Sequence, residues 1–187
     1  MSLAPKKIEI LETLLLNDKP TTAMELAKEM GNEFPPVMMH LLGLVKLGYA
    51  GSPKKSLYII TQQGKQTLGI PEINKEKALS ILAYAPHDNA FHFYAEVGKP
   101  LAFHAHNLRD FANKLEKIDI KSVEFHMQRG DFEAWFSGLG DEELAKKASL
   151  LKQRKIAGEE LRRKLHEIVE QRYIVLATLA GQPVYTE

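Results

Sequence analysis

The stretch from Gly31 to Gly48 constrains this chain most. Pro35 and Pro36 stand at its start, and apolar residues then recur at helical spacing through Val37, Leu41 and Leu44. Proline suits the first turn of a helix, where the N–H it lacks would have no partner in any case. Glycine just past the end adopts the left-handed conformation that closes one. The spacing therefore predicts a helix from Pro35 to about Tyr49. A shorter helix precedes it, opening at Thr21 to Leu26 with a hydroxyl cap and broken by Gly31. Ile8, Leu11, Leu14 and Leu15 mark another helix upstream. Downstream, Ala50-Gly51-Ser52-Pro53-Lys54-Lys55 and the apolar run Leu57 to Ile60 read as a hairpin with a basic tip, and Thr61-Gln62-Gln63-Gly64 leads into a further helical stretch.

Helix, short turn, helix and basic hairpin is a layout that sets one helix in a DNA major groove and a loop on the phosphates. The words Leu26-Ala27-Lys28-Glu29-Met30-Gly31, Val37-Met38-Met39-His40-Leu41, Leu44-Val45-Lys46-Leu47-Gly48-Tyr49 and Ile60-Thr61-Gln62-Gln63-Gly64 carry a resemblance. The region resembles winged helix-turn-helix regulators of the multiple-antibiotic-resistance, arsenical-resistance and phenolic-acid types, over about a third of the chain. That resemblance implies a transcriptional regulator bound to double-stranded DNA.

The second helix departs from that pattern. Its exposed positions in such regulators carry serine, threonine, lysine or arginine, whereas here they hold Met38, Met39, Leu42, Gly43 and Val45. Methionine and leucine can touch a thymine methyl but offer no hydrogen-bonding code to a base edge. The DNA-binding candidates are therefore His40 and Lys46 on the helix and Lys54 and Lys55 at the hairpin tip, acting mainly on phosphates. The alternative is an adaptor that binds no DNA and uses the apolar helix for protein contact, with Met38, Met39 and Leu42 as its candidates.

Charge permits nucleic acid without demanding it. Residues 1–70 hold eight lysines against six acids, residues 71–140 eight basic against ten acidic side chains, and residues 141–187 nine against eight. The chain has no cysteine, which removes disulfides, cysteine zinc sites and cysteine nucleophiles. No apolar run approaches the ~18–20 residues of a membrane span, and the first residues lack a signal-peptide core. A cytoplasmic protein is expected.

Beyond a linker expected at Gly69 to Lys77, the middle of the chain is mixed. Ala78 to Ala85, Ala90 to Val97 and Leu101 to Ala105 read as strands, and Asn107 caps a helix running to about Lys117. Ile120, Val123 and Met127 favour a helix over the alternating strand pattern of the same segment. Asp131 is expected to cap a helix anchored by Phe132, Trp135 and Phe136, and Asp141 another. Gly158 divides the helical C-terminal part, whose last helix carries Leu161, Leu165, Ile168, Val169, Ile174, Val175 and Leu176. Lys146, Lys147, Lys152, Arg154, Lys155, Arg162, Arg163 and Lys164 read as a solvated face. The words Phe91-His92-Phe93-Tyr94, Ser122 to Trp135 and Gly140 to Ala145 resemble an uncharacterised archaeal and bacterial domain family over roughly residues 88–176, which implies no particular activity.

Five of the seven histidines lie in this middle part: His87, His92, His104, His106 and His126. On paired strands, His92, His104 and His106 can share a face, with Asp88 or Glu124 as further ligands for zinc, nickel or iron. The plainer expectation is a polar sheet surface with no metal and no cofactor. His126 and Asp131 can form an acid–base pair, or simply a histidine bonded to a helix end. No serine–histidine–acid signature or phosphate-binding glycine loop is present. The expected protein is not an enzyme. It is an α+β chain with a winged helix at residues 1–70 and a mixed domain at 71–187. The second domain would serve dimerisation or sensing. The candidate homodimer seams are the last helix around Leu165, Ile168 and Leu176 and the apolar helix around Met38 and Leu42, the first being favoured because a seam at Met38 would block the reading helix.

Overall fold

The computed structural model describes residues 3–184 and divides the chain into two compact units, Met1–Glu72 and Ile73–Glu187. Helices dominate both, and each carries one two-stranded antiparallel sheet, so the chain is α+β.

The first unit runs α1 (Pro5–Asn17), α2 (Ala23–Glu29), α3 (Phe34–Lys46), β1 (Ala50–Lys54), β2 (Leu57–Ile60) and α4 (Gln62–Thr67). Thr22 and Glu25 open α2 by reciprocal capping. The Glu25 N–H donates to the Thr22 hydroxyl at 3.2 Å, and the Thr22 N–H donates to the Glu25 carboxylate at 2.8 Å. Pro35 and Pro36 occupy the start of α3, and Gly48, at φ +77°, follows its end. Ile10, Leu11 and Leu14 of α1, Leu26 of α2, and Val37, Leu41 and Leu44 of α3 form the core with Tyr58 of β2. Tyr58 exchanges both backbone hydrogen bonds with Thr21, at 2.8 and 3.0 Å, and so ties the hairpin to the entry of α2.

The second unit runs α5 (Lys75–Leu82), a 3-10 turn (His87–Asn89), β3 (Phe91–Glu96), β4 (Lys99–Ala105), α6 (Leu108–Leu115), α7 (Ile120–Arg129), α8 (Asp131–Leu139), α9 (Glu142–Gln153) and α10 (Gly158–Ala180). The strand expected at Ala78 to Ala85 is instead α5. Ala78 and Ile81, three apart, are both buried, and α5 packs on α10, so only a helix puts them on one face. The Asn74 side chain accepts from the Lys77 N–H at 2.9 Å, so the helix begins inside the segment expected as linker.

Phe91, Phe93, Phe111, Phe132 and Phe136 interlock in edge-on and stacked contacts at the centre of this unit. Leu165 and Leu176 are fully buried and Ile168 nearly so, inside the unit's own core. They are unavailable as a dimer seam; the exposed apolar residues of α10 are Val175 and Leu179. No helix among the described residues is long and apolar enough to cross a membrane.

Candidate functional site

The second unit carries a cleft of about 420 Å³ lined by Phe91, Tyr94, Phe125, His126, Arg129 and Asp131 among others. One glycine sets its geometry. Gly130, at φ +78°, closes α7 and stands at the cap of α8, so the two helices meet at a single residue. That junction sets His126, in the last turn of α7, against Asp131, the first residue of α8. His126 Nδ1 lies 2.7 Å from the Asp131 carboxylate. Asp131 was expected to cap its helix; Gly130 takes the cap position instead, Asp131 is the first helical residue, and its carboxylate receives His126 and the Arg129 Nε–H, the latter at 3.1 Å.

The other ring nitrogen is also engaged. His126 Nε2 accepts the backbone N–H of Tyr94 at 2.8 Å, which assigns the proton to Nδ1 and makes the ring neutral. Burial lowers its pKa from the ordinary histidine value, against the opposing pull of Asp131. The Ser122 hydroxyl donates to the Tyr94 carbonyl at 2.6 Å, so α7 grips both sides of that residue of β3. With both nitrogens engaged, His126 orders the cleft wall and has no free lone pair for acid–base work. The Arg129 guanidinium lies 5.2 Å over the Phe125 ring and leaves a half-exposed cation at the cleft.

Beside the cleft stands an array of imidazoles. His92 and His104 are register partners across β3 and β4, so they share a sheet face. His87 reaches the same place from the 3-10 turn. The ring centres are 4.7 Å apart for His87–His92, 5.0 Å for His87–His104 and 4.6 Å for His92–His104. His106, expected to converge with His92 and His104, stands off. It stacks on Tyr84 at 4.6 Å and lies 6.4 Å from His87. Glu124 is committed to the Gly158 N–H at 2.8 Å. As the side chains stand, no three histidine or carboxylate donors among the described residues are arranged to hold an ion.

On the first unit, Met39 is 63% and Leu42 51% exposed on α3, and Lys46 is exposed in its last turn. His40 is only half-exposed. Lys54 ends β1, Lys55 follows in the turn, and both are exposed. Met38 differs from its expectation as a contact residue. It packs against the core, with its sulfur 3.9 Å from the Tyr58 hydroxyl, and so separates from Met39 and Leu42.

Sequence reasoning passed over a buried ionic group joining α9 to α10. Arg172 donates from Nε to Asp141 at 2.8 Å and from a terminal nitrogen to Glu143 at 2.8 Å, and Lys147 lies 3.3 Å from Glu143. All four side chains are buried, so Lys147 does not belong to the solvated face expected for it. The signal was present: Arg172 falls four residues before Leu176 and four after Ile168, inside the apolar stripe of α10. Asp141 also caps α9, accepting from the Leu144 N–H at 3.1 Å.

No curated protein and no solved structure matches the chain. Residues 72–170, which hold the cleft, the imidazole array and much of the buried ionic group, match the model of a family of unknown function, DUF5752. With more than half of its length inside that match, the chain belongs to the DUF5752 family.

Proposed function

We propose that the first unit is a winged helix-turn-helix that binds duplex DNA through its phosphates, and that the chain is a transcriptional regulator. The observation that carries this reading is the pair of open surfaces following one another in the chain. The outer face of α3, with Lys46, is uncovered, and so is the hairpin tip with Lys54 and Lys55. A reading helix and a phosphate-contacting wing need both. The second unit then serves ligand sensing or homodimerisation, and two copies bring the lysine count to a useful level.

A second reading rests on Met39 and Leu42. They stand three residues apart on α3 and are both more than half exposed, which suits a protein partner better than a base edge. In that reading the unit is an adaptor that binds no DNA.

Titration with a labelled mixed-sequence duplex separates the two. If Lys46, Lys54 and Lys55 each neutralise one phosphate, affinity falls about 40-fold between about 50 and 200 mM salt. Lys54→Ala with Lys55→Ala flattens that slope. Binding that ignores both salt and the double variant, or no binding at low salt, sets the DNA reading aside in favour of the adaptor.

A further inference from the structure

We infer that the cleft of the second unit binds a small aromatic monocarboxylate, with Arg129 on the carboxylate and the ring against the apolar wall. The inference rests on the sensing role proposed for that unit and names the class of ligand it would sense.

The hydrogen-bonding capacity of the cleft is lopsided. His126 spends both ring nitrogens, on the Tyr94 N–H and on Asp131. The Asp131 oxygen that receives His126 also receives the Arg129 Nε–H. The Arg129 guanidinium lies over the Phe125 ring, 5.2 Å from its centre, so that face is taken. An entering cation would meet acceptors already in use and a charge like its own. Donors, by contrast, are unspent. Among the described residues nothing receives the two terminal nitrogens of Arg129 or the Tyr94 hydroxyl. The ligand that completes this site is an acceptor, and a negatively charged one.

Arg129 is also oriented in advance. Asp131 holds its Nε and the Phe125 ring supports its plane, while Asp131 is itself fixed by His126. The guanidinium is nevertheless half-exposed, so its outer edge is steered without being covered. Ordering it beforehand lowers the entropic cost of binding. A planar carboxylate matches a two-nitrogen edge. One guanidinium, shared with Asp131, balances a single charge, whereas a phosphate monoester carries up to twice that.

The wall sets the rest of the ligand. Phe91, Tyr94 and Phe125 supply ring surface, and Val97, beside the β3–β4 turn, is 76% exposed. A bare valine at the mouth of a cleft gains from an apolar body laid on it. The volume of about 420 Å³ lies in the range of small-molecule sites.

The test titrates the full chain, without DNA, with 2-naphthoate by calorimetry at low salt near neutral pH. One molecule per chain is expected, with a dissociation constant at or below about 1 mM for a ligand of that size. 2-Naphthamide has the same shape without the charge and should bind at least about tenfold more weakly. Arg129→Gln should cost naphthoate that same factor, and Arg163→Gln, on an exposed pair of α10, should cost nothing. As a check that needs no variant, naphthoate should shift the backbone NMR signals of Val97, Gly98, Phe125 and Arg129 in the unmodified chain. No binding at millimolar naphthoate overturns the site. So does equal affinity for the amide, indifference to Arg129→Gln, shifts confined to residues outside the cleft, or tighter binding of 2-naphthyl phosphate. The duplex titration contains no naphthoate and this one contains no DNA, so failure of either reading is seen separately from failure of the other.

Discussion

The backbone N–H of Tyr94 ends on Nε2 of His126, 2.8 Å away, and this one bond decides what the histidine can do. A ring that accepts there must carry its proton on Nδ1, where Asp131 receives it at 2.7 Å. Histidine beside a carboxylate in a cleft is a familiar sign of acid–base chemistry. Here the second nitrogen belongs to a strand, and the pair fastens α7, α8 and β3 together around the cleft.

That arrangement makes stability depend on pH. Burial holds the folded-state pKa of His126 below its ordinary value of 6.5. Between the folded and unfolded pKa values the unfolded chain binds more protons, so the contribution is fully present above about pH 6.5 and is lost as pH falls from there through the folded pKa. Protonation puts a second donor in front of the Tyr94 N–H. His126→Gln can still accept from Tyr94 but does not titrate, so it should remove part of the loss of stability on acidification. Urea denaturation of both proteins across that range checks this; parallel curves would mean that His126 is not the titrating group.

Arg172→Met should destabilise the chain by about 3–5 kcal/mol, because it leaves Asp141 and Glu143 buried beside one cation in place of two. Arg163→Ala, whose partner Glu167 is as exposed as it is, should change stability by no more than about 0.5 kcal/mol. Denaturant midpoints of the two variants decide it. A loss below about 1 kcal/mol for Arg172→Met would show that the four-residue group gives no net stability.

Two glycines predict opposite signs for the same substitution. A Cβ on Gly64 would lie 2.2 Å from the Tyr49 carbonyl oxygen and 2.8 Å from Ile60. That oxygen cannot readily retreat, since it also accepts from the Thr61 N–H at 3.1 Å. Gly64→Ala should therefore destabilise by about 1–3 kcal/mol. Gly138, inside α8, has nothing within 4 Å of its would-be Cβ, and Gly138→Ala should stabilise by about 0.5–1 kcal/mol. Thermal melting of both gives the signs directly.

Thr22→Ala removes half of the reciprocal cap on α2 and should lower stability by about 0.5–2 kcal/mol. Amide exchange offers the finer readout, with the Glu25 N–H losing protection while α3 keeps its own. Uniform loss across both helices would mean that the cap supports the whole first unit.

Local chemistry made much of the chain legible. Thr22 with Glu25, the prolines opening α3, Asn107, and Asp141 act within four residues of themselves, so their roles can be read from spacing alone. The α+β character follows from such signals. Segment 78–85 was misread because a short apolar run serves a buried helix as well as a strand, and packing against α10 selects between them. Met38 and Met39 are identical neighbours on paper. Only the fold packs one against the core, half-buried, and leaves the other in solvent, because adjacent helical residues point about 100° apart. The remaining relationships join residues far apart in the chain: Tyr94 to His126, Asp141 to Arg172, and His87 and His92 to His104. No periodicity encodes them. Strand register, one glycine junction and the pairing of two helices bring those side chains together, and each is settled only when the apolar surfaces beneath them close.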